Sequence, residues 1–124
     1  MRIPLSWRRT TVATLLLAHA ALAASLFEQT DVFVSGRDGY AGYRIPALQI
    51  APDGSLLAFA EARKHNLRDP GGENQDIDLV MKRSSDQGRT WSAMRLIEDP
   101  GEFWSAANPC TVLDRETKLS LIHI

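Results

Sequence analysis

Short apolar runs alternate with turn signals along most of this chain. DVFVSG, Asp31 to Gly36, reads as a strand closed by a glycine. YRIPALQI, Tyr43 to Ile50, reads as the next. APDG makes a tight turn, and SLLAFAEAR, Ser55 to Arg63, returns as a third strand. Asp-Gly between two apolar runs is a strong hairpin signal. In IDLVMKRSS, Ile77, Leu79 and Met81 fall on one face and Asp78, Val80 and Lys82 on the other, the period of a two-faced strand. SDQGRTW is a turn, SAMRLI a short strand beyond it, and CTVLD and LSLIHI are two further strand candidates. No segment keeps a helical period over three turns. The expected class is all-β, built of short strands at regular spacing.

Two places break this rhythm. Lys64 to Gln75, KHNLRDPGGENQ, puts 12 residues between two good strands, where a hairpin normally uses two to five. Pro70, Gly71 and Gly72 keep the stretch irregular. A long loop on a rigid β scaffold is a frequent carrier of function, and a solvated surface excursion is the plain alternative. The second is GYAGYRIPALQI, where a strand headed for a core carries Arg44 at its entrance and Pro46 two residues on. Proline removes a ladder hydrogen bond, and arginine resists burial unless paired. Either this is an ordinary edge strand or Arg44 faces something that needs it.

Composition removes some possibilities. The chain has 124 residues, 44% of them hydrophobic, enough for one modest domain with a real core. Residues 1–23 are set apart: Arg2, Arg8 and Arg9 precede the apolar run TVATLLLAHAALA, and Ala21-Leu22-Ala23 has the form of a cleavage site. This is the layout of a secretory signal peptide, too short for a comfortable membrane span, and SWRRTTV gives only a weak twin-arginine pattern. An uncleaved anchor is the alternative. The expected location is therefore secreted or periplasmic, with surface association as an alternative, and with no membrane span after cleavage. Three of the 14 basic residues and no acidic ones lie in that leader, so residues 24–124 carry 11 basic against 15 acidic residues, a net of −4. No block of like charge marks a nucleic-acid surface. The single cysteine, Cys110, has no internal partner and is expected to be a small buried hydrophobe. No metal-ligand spacing and no cofactor motif stand out, and His65 and His123 read as solvated or structural.

SSDQGRTW has the form Ser-x-Asp-x-Gly-x-Thr-Trp, from Ser84 through Asp86, Gly88 and Thr90 to Trp91. Asp86 can accept from the turn's own N–H groups, Gly88 can take a positive φ, and Trp91 can pin the turn to the sheet. The motif resembles the Asp-box of sialidases and related β-propellers, where it has a structural role. YRIPAL is similar to the sialidase Arg-Ile-Pro motif, LLAFAEARK to the strand after it, and NPCTVLDRET, Asn108 to Thr117, to a later blade-start segment. The similarity runs from Val32 to Thr117 in the order seen in that family. It implies the N-terminal part of a six-bladed propeller, about one to two blades, with residues 24–124 as a truncated part of that domain. The implied activity is that of a retaining exo-α-sialidase, which releases terminal sialic acid from glycoproteins, glycolipids and oligosaccharides.

The resemblance also assigns residues. Arg44 would be one of three arginines that grip the sialate C1 carboxylate, a planar guanidinium meeting a carboxylate through two parallel hydrogen bonds. Arg63 would line the pocket and Glu61 support it. The two lie two apart on one strand and so face one side; an exposed ion pair is the plainer account. Asp69, six residues after Arg63, would be the general acid/base, with Asp76 and Asp78 as rivals that look like framework. Asn108 would line the pocket. Phe103 and Trp104 are expected to pack in the core or at the rim. The tyrosine nucleophile, its activating glutamate and two arginines come late in the family and are not in this chain, so the piece alone is expected to be inactive. KLSLIHI departs from the family pattern, so residues 118–124 are suspect as native continuation. The other functional class in play is a non-catalytic secreted Asp-box propeller, a binding or scaffold module, which has no reason to combine Arg44, Arg63 and Asp69.

Overall fold

The computed structural model describes residues 28–114, 116–117 and 119–123, the last five by their backbone alone. The expected leader, residues 1–23, and the side chains of 118–124 lie outside the described residues. Within them the chain is all strands and turns: β1 (Gly42–Ile50), β2 (Leu56–Arg63), β3 (Ile77–Ser84), β4 (Arg95–Glu98), β5 (Cys110–Asp114) and β6 (Leu119–His123). β1 to β4 form one antiparallel sheet in chain order, and β5 and β6 form a separate hairpin. No helix among the described residues is long and apolar enough to cross a membrane.

The APDG hairpin forms as its sequence requires. Ala51 N–H donates to Ser55 O (2.8 Å), Gly54 N–H to Ala51 O (2.9 Å), and Asp53 Oδ1 accepts from Ser55 N–H (3.0 Å). β2 is the buried centre of the sheet. Ala60, Ala62 and Val80 make the core of one face, with Phe33, Tyr40, Tyr43 and Met94 packed over them. The DVFVSG stretch supplies Phe33 to that layer but is not a strand. Gly36, Asp38 and Gly39 all have positive φ (78°, 58° and 87°). Three left-handed residues in four fold the backbone into turns closed by Gly36 N–H to Tyr40 O (3.1 Å) and Tyr40 N–H to Arg37 O (3.2 Å). Its apolar residues are used by packing, as in the Phe33–Tyr43 ring pair at 5.1 Å, and not by a ladder.

β1 pairs only with β2 in this sheet, which accommodates Pro46. The register slips between Arg44 and Ala47: Arg44 faces Glu61 and Ala47 faces Phe59, so β1 carries one extra residue. Ile45 has φ 50°, a costly conformation for a β-branched side chain. A bulge of this kind bends the strand and re-aims the residue beside it, here Arg44. Cys110 departs from expectation. It is exposed, because β5 alternates and Cys110, Val112 and Asp114 share its outer face.

The Ser84–Trp91 turn joins β3 to β4 through a closed set of hydrogen bonds. Asp86 Oδ1 accepts from Thr90 N–H (2.9 Å) and Ser84 Oγ–H (2.8 Å), and Asp86 Oδ2 accepts from Thr90 Oγ1–H (2.6 Å). Ser84 Oγ in turn accepts from Gly88 N–H (2.8 Å). Gly88 has φ 89°, and Trp91 lies back on it, donating Nε1–H to Gly88 O (3.0 Å). The Thr90 hydroxyl first, then the Thr90 N–H and Ser84, hold the Asp86 carboxyl down at about 2. A depressed folded-state pKa stabilises the fold above the unfolded value, near 4, and that contribution vanishes as pH falls to about 2. Asp86→Ala should therefore lower the stability of the full-length protein at pH 6, measured by urea unfolding. The deficit should shrink steadily between pH 4 and pH 2, and a deficit constant with pH would rule out this role for the carboxylate.

Candidate active site

β2 ends in Glu61-Ala62-Arg63, and both charged residues point to one face. Arg63 is 1% exposed and Glu61 0%. Arg63 Nε and Nη2 donate to Glu61 Oε2 at 3.1 and 2.5 Å. The pair is thus buried, not the exposed one that spacing alone allowed. The rest of the guanidinium faces the long loop: Nη1 donates to Leu67 O (2.8 Å) and Arg68 O (2.5 Å), and Asp69 Oδ1 stands 3.4 Å away. Glu61 Oε1 accepts from the N–H of Asn108 (2.9 Å). Arg63 therefore holds the 64–76 loop while Glu61 holds the segment that enters β5.

Arg44 reaches the same place from β1. Its Nη1 donates to Asp69 Oδ1 (2.5 Å) and Leu67 O (3.3 Å). Arg44 and Asp69 are 42% and 73% exposed. An exposed pair contributes only about 0–1 kcal/mol to stability, so stability gives little reason for the bulge that aims Arg44 here. The loop is set over β1 by close approach. A Cβ on Gly42 would stand 2.5 Å from Leu67 Cδ2 and 2.9 Å from Ser35 Oγ, so only glycine leaves Leu67 its seat.

Asn66 shapes the same loop, a role its sequence gave no signal for. Its Oδ1 accepts from Arg68 N–H (2.8 Å) and Gln75 Nε2–H (3.2 Å), tying the two ends together ahead of Asp69. Asn108 joins through its backbone, with φ 55° and an exposed side chain. Phe103 and Trp104 are each 70% exposed, against the expected core or rim packing, because the turn at Gly101 lifts them from the sheet while the backbone at Trp104 bonds Ile77.

Asp76 and Asp78 belong to a second network that sequence spacing did not reveal. Lys64 Nζ lies 3.0 Å from Asp76 Oδ1, 3.3 Å from Asp78 Oδ2 and 3.8 Å from Asp99 Oδ2. Tyr40 donates to Asp78 Oδ2 (2.6 Å). Burial pushes the Asp78 carboxyl up despite Tyr40 and Lys64, and burial together with Asp78 pushes the Tyr40 hydroxyl up. Burial works against the charge on Lys64, but the Asp76 and Asp78 carboxylates outweigh it and raise its pKa. Among the described residues Asp76 Oδ1 and Asp78 Oδ1 have no hydrogen-bond partner; the 3.0 Å approach of Lys64 to Asp76 Oδ1 is off the line of a hydrogen bond. The three carboxylates lie close enough to hold a cation, and the Lys64 ammonium sits among them. Asp76 and Asp78 make their contacts with Lys64, His65 and Tyr40, and of the acid candidates Asp69, Asp76 and Asp78 it is Asp69 that pairs with Arg44.

Two arginines, one exposed loop carboxylate and a buried glutamate thus meet at one end of the sheet. A sialidase of Micromonospora viridifaciens is 35% identical over 95 residues, 74% of this chain and 14% of the relative. An exo-alpha-sialidase of Arthroderma benhamiae is 37% identical over 106 residues, 80% of this chain and 24% of the relative. An exo-alpha-sialidase of Aspergillus fumigatus is 33% identical over 90 residues, 67% of this chain and 21% of the relative. The chain belongs to the sialidase family. It spans about a quarter or less of the length of these sialidases. No protein-family model matches the chain.

The buried pair and the exposed pair of this sialidase segment should respond differently to truncation. Glu61→Ala leaves a buried guanidinium without its counter-charge and should cost about 3–5 kcal/mol. Asp69→Ala should change stability by less than about 1 kcal/mol. Urea unfolding of the full-length variants checks this, and equal losses would refute the division between scaffold and surface.

Proposed function

We propose that this chain is the N-terminal part of the propeller domain of an exported, retaining exo-α-sialidase, led out of the cytoplasm by residues 1–23. The observation that carries the proposal is the meeting of Arg44, Arg63 and Asp69 at one place, with two carbonyls of the long loop fixed on Arg63. A scaffold module gains almost nothing from an exposed Arg44–Asp69 contact, whereas a carboxylate-bearing substrate uses every part of it.

In this mechanism Arg44 binds the sialate carboxylate. Among the described residues only its Nη1 has partners, so most of the fork remains to receive a second carboxylate. The incoming carboxylate competes with Asp69 for Arg44. Asp69, released from Arg44, takes up a proton from solvent, turns to the glycosidic oxygen and donates that proton, so that the leaving alcohol departs as a neutral molecule. Arg63 does not release its loop, because its Nη1 bonds are to backbone carbonyls. Glu61 holds the Arg63 guanidinium in place and, through the Asn108 N–H, sets the opposite wall. The nucleophile that takes up the sialyl group, and the two further arginines, belong to the remainder of the protein, so residues 24–124 alone should not turn over a sialoside.

Arg44→Lys should raise KM for sialosides in the full-length protein at least about tenfold, since an ammonium cannot make the paired contact. Wild-type kinetics in that variant would remove the carboxylate assignment. Asp69→Ala should lower kcat on natural sialosides roughly 100-fold or more while sparing aryl sialosides, whose leaving groups need no proton. Equal losses on both substrates would argue against an acid role.

A further inference from the structure

Asp69 has little of its own to hold it. Its side chain is 73% exposed, and among the described residues its carboxylate has only the two arginines for partners. Arg44 Nη1 stands at 2.5 Å, and Arg63 Nη1 and Nη2 each stand at 3.4 Å. When a substrate carboxylate takes Arg44 away, only the Arg63 contacts remain, and 3.4 Å is beyond the usual hydrogen-bond range. The side-chain tether is thus weakest in the complex that must react.

The backbone before Asp69 carries a stronger restraint. Two successive peptide planes hang from one atom, Nη1 of Arg63, through Leu67 O (2.8 Å) and Arg68 O (2.5 Å). A plane held at its oxygen alone can swing about that point. The Leu67–Arg68 plane is also held at its opposite edge, where Arg68 N–H donates to Asn66 Oδ1 (2.8 Å). Peptide planes are rigid, so fixing both edges of this one and the oxygen of the next places the Asp69 Cα.

Asn66 is anchored in turn. Its Oδ1 also accepts from Gln75 Nε2–H (3.2 Å), and its Nδ2–H donates to Asn74 O (3.5 Å). Gln75 is 3% exposed, and a buried amide of that kind requires a partner. The neighbouring bond from Lys64 N–H to Asp76 O (3.0 Å) closes the base of the loop. The 64–76 loop therefore has a fixed neck, and Asp69 is the first residue beyond the peptides it clamps.

We infer that Asn66 is a positioning residue that keeps Asp69 in place for proton donation once the substrate has displaced it from Arg44. This role rests on the sialidase function proposed above. It gives Asn66 a larger part in the substrate-bound state than in the free protein, where Arg44 also restrains Asp69. A residue that only stabilised the loop would matter equally for every substrate.

The test uses the full-length protein with sialyllactose and with an aryl sialoside, whose leaving group needs no proton. Asn66→Ala should lower kcat on sialyllactose roughly tenfold with KM unchanged, and should spare the aryl sialoside. Asn66→Asp keeps the acceptor for Arg68 N–H and should restore most of kcat. Hydrogen–deuterium exchange should be faster in peptides spanning residues 64–76 of Asn66→Ala and unchanged elsewhere, which shows that the variant is folded. Equal losses on both sialosides, wild-type kcat despite faster exchange, or no rescue by Asn66→Asp would each overturn the role of Asn66. Asp69→Ala is the control. If it spares the aryl sialoside and Asn66→Ala does not, only the role of Asn66 falls. If Asp69→Ala itself impairs both substrates alike, the acid assignment falls, and the role of Asn66 with it.

Discussion

A guanidinium buried to 1% exposure cannot be left without partners, and Arg63 finds them on three sides. Glu61, two residues earlier on β2, supplies the counter-charge; Leu67 and Arg68 supply carbonyls; Asp69 stands at the edge. Removing two charges from water costs several kcal/mol each, and only a near-complete set of hydrogen bonds offsets that. The requirement propagates outward. The loop must fold back so that its carbonyls reach Nη1, and Leu67 must then pass over β1 where only Gly42 leaves room. Asp69 is carried to Arg44 as a result. The buried pair thus sets the positions of exposed groups that contribute little to stability themselves.

Backbone strain marks the same end of the molecule. Ile45, Asn74, Phe103 and Asn108 all sit in the left-handed region without being glycine. Ile45 forms the bulge beside Arg44, Asn74 and Phe103 face each other across a cavity, and Asn108 presents its N–H to Glu61. By contrast the Ser84–Trp91 turn, which joins β3 to β4, places Gly88 at its left-handed centre beside Gln87 and closes on its own side chains. The two ends follow different economies: one is built for self-satisfaction, the other leaves donors and an aromatic ring open.

Much of this was legible in the chain. The hairpin at Asp53-Gly54, the two-faced period of β3 and the turn around Asp86 rest on local spacing, which a sequence carries directly; Arg44, Glu61, Arg63 and Asp69 were singled out by the resemblance of their motifs to the sialidase family. The failures have a common cause. DVFVSG has the composition of a strand, but three positive-φ positions at its end turn it into a packing layer. Cys110 has the character of a core residue, but the parity of β5 points it outward. Phe103 and Trp104 were expected in the core or at the rim and are each 70% exposed. In each case the outcome depended on which face or turn the residue occupied, not on its own hydrophobicity.

The sequence by itself determined the class of the fold, the family and a set of candidate site residues, because strand period, turn chemistry and the Arg-Ile-Pro and Ser-x-Asp-x-Gly-x-Thr-Trp spacings are short-range properties. Only the tertiary structure decided which charges are buried, that Asn66 ties the 64–76 loop, that Lys64 sits among Asp76, Asp78 and Asp99, and that a cavity opens between residues 65–75 and 102–103. Those facts join segments up to tens of residues apart. Burial and pairing energies depend on what the fold brings alongside a side chain, and no local pattern encodes that.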